Sequence, residues 1–140
     1  MSDENVARLN ELLLAERAGV EVGAALKKNV PKGYFRNHLS KIEADEAVSC
    51  AVIERGIRAL GGDPAPGQND FAEKVLALPA LTERLDLLAR GQAWVVKRID
   101  VLLAEALPEE TLEELREMRR EHVENIDWCN EQVAELRAEG

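Results

Sequence analysis

Apolar residues recur at helical spacing in four long stretches of the chain. The first stripe runs Val6, Leu9, Leu13, Glu16, Val20, Ala24, and the second Leu39, Ile42, Glu46, Ser49, Ile53, Ile57, Leu60. The third runs Leu81, Leu85, Leu88, Gln92, Val96, Ile99, Leu103. The fourth runs Leu115, Met118, His122, Asn125 or Ile126, Cys129, Val133, Leu136. Steps of three and four residues put each set on one face of an α-helix, so each stretch reads as an amphipathic helix with one buried side. The alternation that a strand needs is nearly absent. Helix breakers gather at 29–33, at 61–69 and at Pro108, with Pro79 as a weaker mark. This punctuation predicts helices over 4–29, 32–60, 80–107 and 109–138, and a short one over 70–77. Gly61 offers the positive φ that ends a helix. Asn69 or Asp70 offers a side-chain oxygen to cap the short one.

Each stripe is interrupted near its middle by a polar residue: Glu16, Glu46, Gln92 and His122. Glu16 and Glu46 lie thirty residues apart with the turn at Pro31 midway, and Gln92 and His122 lie thirty apart with Leu107 near midway. In an antiparallel pair, residues equidistant from the turn sit at one level. Each helical hairpin is therefore expected to bring its two polar residues opposite each other. A shift of 76 residues carries one hairpin onto the other, placing Leu9 on Leu85, Glu16 on Gln92, Glu46 on His122 and Ser49 on Asn125. The connection over 61–79 exceeds the roughly 2–8 residues usual between bundle helices. Its short helix covers about 12 Å and its extended part about 36 Å, enough to return along a helix of about 40 Å. The expectation is a single all-α domain over 1–140, a four-helix bundle of two antiparallel hairpins joined by a long crossover.

Composition narrows the function classes. The 140 residues carry 18 Lys and Arg against 27 Asp and Glu, a net charge of −9, which disfavours a nucleic-acid backbone or an anionic membrane face as partner. Hydrophobic residues make up 46%, too many for a disordered chain. Charges interrupt every apolar run before the length of a membrane span, and Met1 to Asn5 resemble no secretory signal, so a cytoplasmic location is expected. Cys50 and Cys129 do not form a disulfide framework; both read as core residues, with Cys50 flanking the polar layer. His38 is expected at the surface, and Trp94 and Trp128 in packing between helices. The run of charges from Glu109 to Arg120 reads as a solvated face with i,i+4 pairs. No phosphate loop, Ser-His-Asp set or Cys-x-x-Cys occurs.

Four segments carry a family resemblance. They are Leu12-Leu13-Leu14-Ala15-Glu16-Arg17-Ala18-Gly19, Asp45-Glu46-Ala47-Val48-Ser49 running on to Ile57-Arg58-Ala59-Leu60-Gly61-Gly62-Asp63-Pro64, Arg90-Gly91-Gln92-Ala93-Trp94-Val95-Val96, and Glu121-His122-Val123-Glu124-Asn125-Ile126. With these the chain resembles the ferritin-like superfamily over nearly its whole length, and most of all a small bacterial branch known only as a domain of unknown function. The resemblance implies a ferritin-like four-helix bundle and a homodimer as the expected partner state. Members that bind two metals use a Glu from each of two helices and a Glu-x-x-His from each of the other two. Here Glu16 and Glu46 match two of the carboxylates. Ser49 stands in the first His position, Gln92 in a Glu position, and His122 and Asn125 in the Glu and His positions of the last helix. Taking His122 as the His instead puts Arg119 in the carboxylate position. Either register leaves two carboxylates and one imidazole, so the resemblance carries little ferroxidase, storage or oxygenase activity with it.

Two readings stay open at this point. Buried carboxylates must be paired, protonated or metallated. In the first reading Glu16, Glu46 and His122 bind one Fe, Mn or Zn ion, with Gln92, Ser49, Asn125 or water completing the shell, for redox or metal handling. In the second the layer is metal-free, with Glu16 bonded to His122 and Glu46 to Gln92 or Asn125. It then fixes helix register in an interaction or regulatory module. The sequence names neither a catalytic residue nor a substrate.

Overall fold

A computed structural model describes residues 2–139, and among them there are helices and connections but no strand. The helices are α1 (Ser2–Lys27), α2 (Tyr34–Ala59), α3 (Phe71–Leu76), α4 (Leu81–Leu103) and α5 (Glu109–Glu139). The chain divides into two compact units at Ala72, one containing the α1–α2 hairpin and the other the α4–α5 hairpin.

In the first unit the buried face of α1 is Asn5, Leu9, Leu12, Glu16, Gly19, Gly23 and Leu26, joined by Leu13, Ala18 and Val22. That of α2 is Leu39, Ile42, Glu46, Ser49, Ile53 and Gly56, joined by Cys50, Val52 and Ile57. The steps alternate three and four, a period of 3.5, which keeps one stripe facing its partner along a gently left-handed coil. This corrects the predicted α1 stripe: Val20 and Ala24 are only half-buried, because the inward positions after Glu16 belong to glycines and to Leu26. Each fully buried Leu or Ile contributes about 1.5–3 kcal/mol, and these flank the polar mid-level on both sides. The hairpin closes through Gly33, whose φ is 135°, and the Arg36 guanidinium donates to the Lys27 carbonyl oxygen at 2.8 Å. α2 starts at Tyr34 rather than 32, since Pro31 and Lys32 lie in the turn. At its other end Gly61, with φ 81°, sends its N–H to the Arg58 carbonyl, and Gly62 sends its N–H to that of Ile57. These paired bonds use up two of the last carbonyls and stop the helix where the sequence predicts.

The crossover then climbs along the outside of α1. Gly62 passes so close to Val6 that a Cβ there would lie 2.7 Å from the valine methyl. Asn10 holds Asp63 and Ala65 by their backbone, at 3.2 and 2.7 Å. Arg17 donates to the carbonyls of Ala65 and Gly67 at 2.5 and 2.9 Å, and Gln68 donates to Glu21 at 2.9 Å. The connection thus retraces α1, as its length predicts. Asn69 accepts the Phe71 N–H at 3.0 Å and opens α3.

In the second unit the inward stripes are Leu85, Leu88, Gln92, Val95, Ile99, Leu102 on α4 and Thr111, Leu115, Met118, His122, Asn125, Cys129 on α5. Val95 and Leu102 replace the predicted Val96 and Leu103 for the same 3.5-residue reason. Of the two options on α5, Asn125 is the buried one and Ile126 is half-buried. α4 ends at Leu103, four residues before the predicted limit. Ala104 and Glu105 bond only three residues back, and Leu107 precedes a proline, which disfavours helical backbone there. Arg84 donates to the carbonyls of Leu76 and Leu78 after α3. Trp128 is buried, while Trp94 is half-buried beneath the Arg98 guanidinium, 5.0 Å from its ring centre. The charged face of α5 pairs as expected, Arg120 with Glu117 and Glu124. No helix among the described residues is long and apolar enough to cross a membrane.

Candidate metal site

The mid-level polar residues face inward. Relative exposure is 0% for Glu16, 2% for Glu46, 4% for Gln92 and 1% for His122. Two carboxylates at such depth face a desolvation cost of several kcal/mol unless something compensates them. Glu16 and Glu46 are positioned by the hairpin of the first unit, equidistant from its turn. Glu46 is further seated by a gap in α1: a Cβ built at Gly19 would lie 1.7 Å from its Oε2. Glu16 and Glu46 each offer one carboxylate oxygen, and these lie within 4.8 Å of each other in the first unit. In the second unit His122 is buried at the matching level of α5.

His122 is oriented by its own helix. Its Nδ1 lies 2.8 Å from the Met118 carbonyl oxygen. A carbonyl only accepts, so Nδ1 carries a proton, and in the neutral ring this leaves the lone pair on Nε2. Metal-binding histidines are commonly fixed in this way, by a backbone carbonyl on the other ring nitrogen.

The remaining candidates divide. Ser49 is buried, but its hydroxyl donates to the Asp45 carbonyl at 3.0 Å, a helical back-bond that satisfies its proton. Asn125 is completely buried, and neither its Oδ1 nor its Nδ2 has a hydrogen-bond partner among the described residues. A stranded amide of that kind costs about 1–3 kcal/mol, and it stands at the α5 position that the family resemblance assigns to a His. Arg119, the alternative carboxylate position, pairs with Asp100 at 2.7 Å on the surface of the α4–α5 hairpin and is no ligand. His38 is half-buried beside Tyr34, away from the mid-level.

Cys50, one turn past Glu46, is buried, as is Cys129, and among the described residues neither is in a disulfide. Burial, and then the charges of Glu16 and Glu46, push Cys50 up to about 12 from an ordinary 9.0, against an opposing pull from Arg17. It is therefore a neutral thiol at physiological pH, a poor ligand and a poor nucleophile. It lines a shallow groove beneath the crossover together with Arg17, Val20, Ala47, Pro66 and Gln68.

Residues 3–131 match the sequence profile of a family described as Domain of unknown function (DUF6306). The chain belongs to that family. The fold is also that of a ferritin-like, diiron-carboxylate protein from Bacillus anthracis str. Ames, with a TM-score of 0.83 over 94% of this chain and 96% of that one, at 17% identity. This DUF6306 protein is thus an all-α ferritin-like bundle, and the expected two-hairpin architecture holds. Among curated proteins none matches the sequence. Ser49, Gln92 and Asn125 occupy positions where a paired metal site needs charged or imidazole donors.

Sequence reasoning placed the three candidate ligands but not Gly19 or the Met118 carbonyl. Gly19 and Gly23 stand four apart on one helix face, and that spacing is the signal from which close approach by a neighbouring group could have been read.

Proposed function

We propose that this DUF6306 protein binds one divalent transition-metal ion through Glu16, Glu46 and the Nε2 of His122, and serves in metal handling or redox chemistry. The observation that supports this reading is the pair of buried carboxylates, Glu16 and Glu46, with oxygens within 4.8 Å of each other in the first unit. Carboxylate oxygen and imidazole nitrogen suit Fe, Mn or Zn. When bound, such an ion supplies Lewis acidity, and Fe or Mn supplies a redox couple as well.

The chain's own residues do the rest. The two carboxylates supply the negative charge that compensates a cation in a dry interior. The Met118 carbonyl holds the imidazole in the ligating tautomer. Asn125 supplies an amide oxygen with no competing bond. In the first unit the buried Leu12 and Leu39 keep bulk water from the two carboxylates, and in the second Leu88 and Leu115 are buried on the same helix faces as Gln92 and His122.

Metal analysis of protein purified without chelators tests the reading. The expected result is one equivalent of a single transition metal per chain, lost in Glu16→Ala, Glu46→Ala and His122→Ala. Sub-stoichiometric metal unaffected by those substitutions overturns it and favours the metal-free polar layer.

A further inference from the structure

We infer that Gly19 is a positioning residue: its missing side chain forms the seat that holds the Glu46 carboxylate beside Glu16. This inference rests on the metal-site reading for its function, and on packing alone for its geometry.

A Cβ on residue 19 would lie 1.7 Å from Oε2, 2.5 Å from Cδ and 3.0 Å from Oε1 of Glu46. All three atoms of that carboxylate therefore crowd the space an alanine methyl would take. Residue 19 is one turn beyond Glu16 on the same buried face, so α1 presents first an acid and then a hollow, and α2 fills the hollow with a second acid. Glycine is the poorest helix former after proline, and nothing in a helix interior calls for it unless another group must come close. Gly19 has normal helical backbone and is absent from the positive-φ glycines, so the reason is space and not φ.

Gly23 separates two roles that might otherwise be confused. A Cβ there would meet Glu43 at its Cβ, Cα and backbone N, at 3.0, 3.2 and 3.3 Å. Gly23 thus lets the backbones of α1 and α2 approach. Gly19 admits only the far end of a flexible side chain. An alanine at 23 has to move a helix, whereas an alanine at 19 has only to push the Glu46 carboxylate aside. Gly19→Ala is therefore expected to fold, with Glu46 displaced from Glu16.

The test is a double-mutant cycle of Gly19→Ala and Glu46→Ala, read by thermal melting in excess chelator, with Gly23→Ala as the control. Gly19→Ala is expected to lower the melting temperature or leave it unchanged in the native background. It is expected to raise it once Glu46 is alanine, because the methyl then fills empty space and a helix glycine is gone. Gly23→Ala is expected to lower it in both. Equal effects of Gly19→Ala in the two backgrounds overturn the seat. The second arm titrates Co²⁺ into each variant and follows its visible absorption. Gly19→Ala is expected to weaken Co²⁺ binding roughly 10–100-fold, the scale of a lost supporting contact, with altered band intensities. Unchanged affinity and spectrum overturn the positioning role. If the native protein binds no Co²⁺, the metal reading fails, and the melting cycle still decides whether Gly19 seats Glu46.

Discussion

The imidazole Nδ1 of His122 lies 2.8 Å from the carbonyl oxygen of Met118, one turn earlier on α5. This contact assigns the ring proton. In the neutral protein ¹⁵N spectra are expected to show His122 protonated at Nδ1 and bare at Nε2, and added Zn²⁺ is expected to shift the Nε2 signal. A ring protonated at Nε2 would remove His122 from the donor set.

Asn125 carries an amide without a hydrogen-bond partner among the described residues, at 0% exposure. Its replacement by the similarly sized leucine removes that burden. In chelator, Asn125→Leu is expected to stabilise the protein by about 1–3 kcal/mol, measured by urea unfolding, while weakening metal binding. A loss of metal-free stability would mean that the amide has a use within the apo protein.

Cys50 gives a pH dependence of known sign. Its proton is held to about 12 in the folded chain and to about 9.0 when unfolded. Below pH 9 both states keep it. Between about 9 and about 12 only the unfolded chain loses it, so stability falls as pH rises, by up to about 1.4 kcal/mol per pH unit. The difference between native protein and Cys50→Ala, from denaturant melts at pH 8 to 10.5, is expected to grow in that direction. The folded thiol is also expected to resist alkylation at pH 8 and to react once the chain is denatured.

Arg17 donates to the carbonyls of both Ala65 and Gly67. Arg17→Ala is expected to leave the α1–α2 hairpin folded and to free the crossover, with faster amide exchange and proteolysis over 63–69. The stability loss is expected near 1.5–3 kcal/mol, the range for hydrogen bonds from a charged donor. Unchanged exchange there would assign the strap to Asn10 and the backbone instead.

The mid-level polar layer was legible because it breaks an otherwise apolar stripe, and its register was legible because each pair is equidistant from a turn marked by proline. Glu16, Glu46 and His122 needed no coordinates to be singled out. The inner face of α1 past Glu16 was not legible in the same way. Its inward positions are Gly19 and Gly23, which carry no side chain, so hydropathy pointed instead to Val20 and Ala24 one step round the helix. The early end of α4 was also hidden, since residues 104–107 are good helix formers, and only the three-residue-back bonds and the following proline unwind them. Arg17 carries no signal of its own in the sequence. Its bonds to the crossover depend on where an extended segment comes to rest, which no local pattern encodes.

Residues 16 and 17 are neighbours along the chain with opposite allegiances: Glu16 belongs to the buried cluster and Arg17 grips the returning connection. One peptide link therefore joins the interior acid to an outer tether. The returning segment at 65–67 is thus anchored on the same helical turn that carries the buried acid.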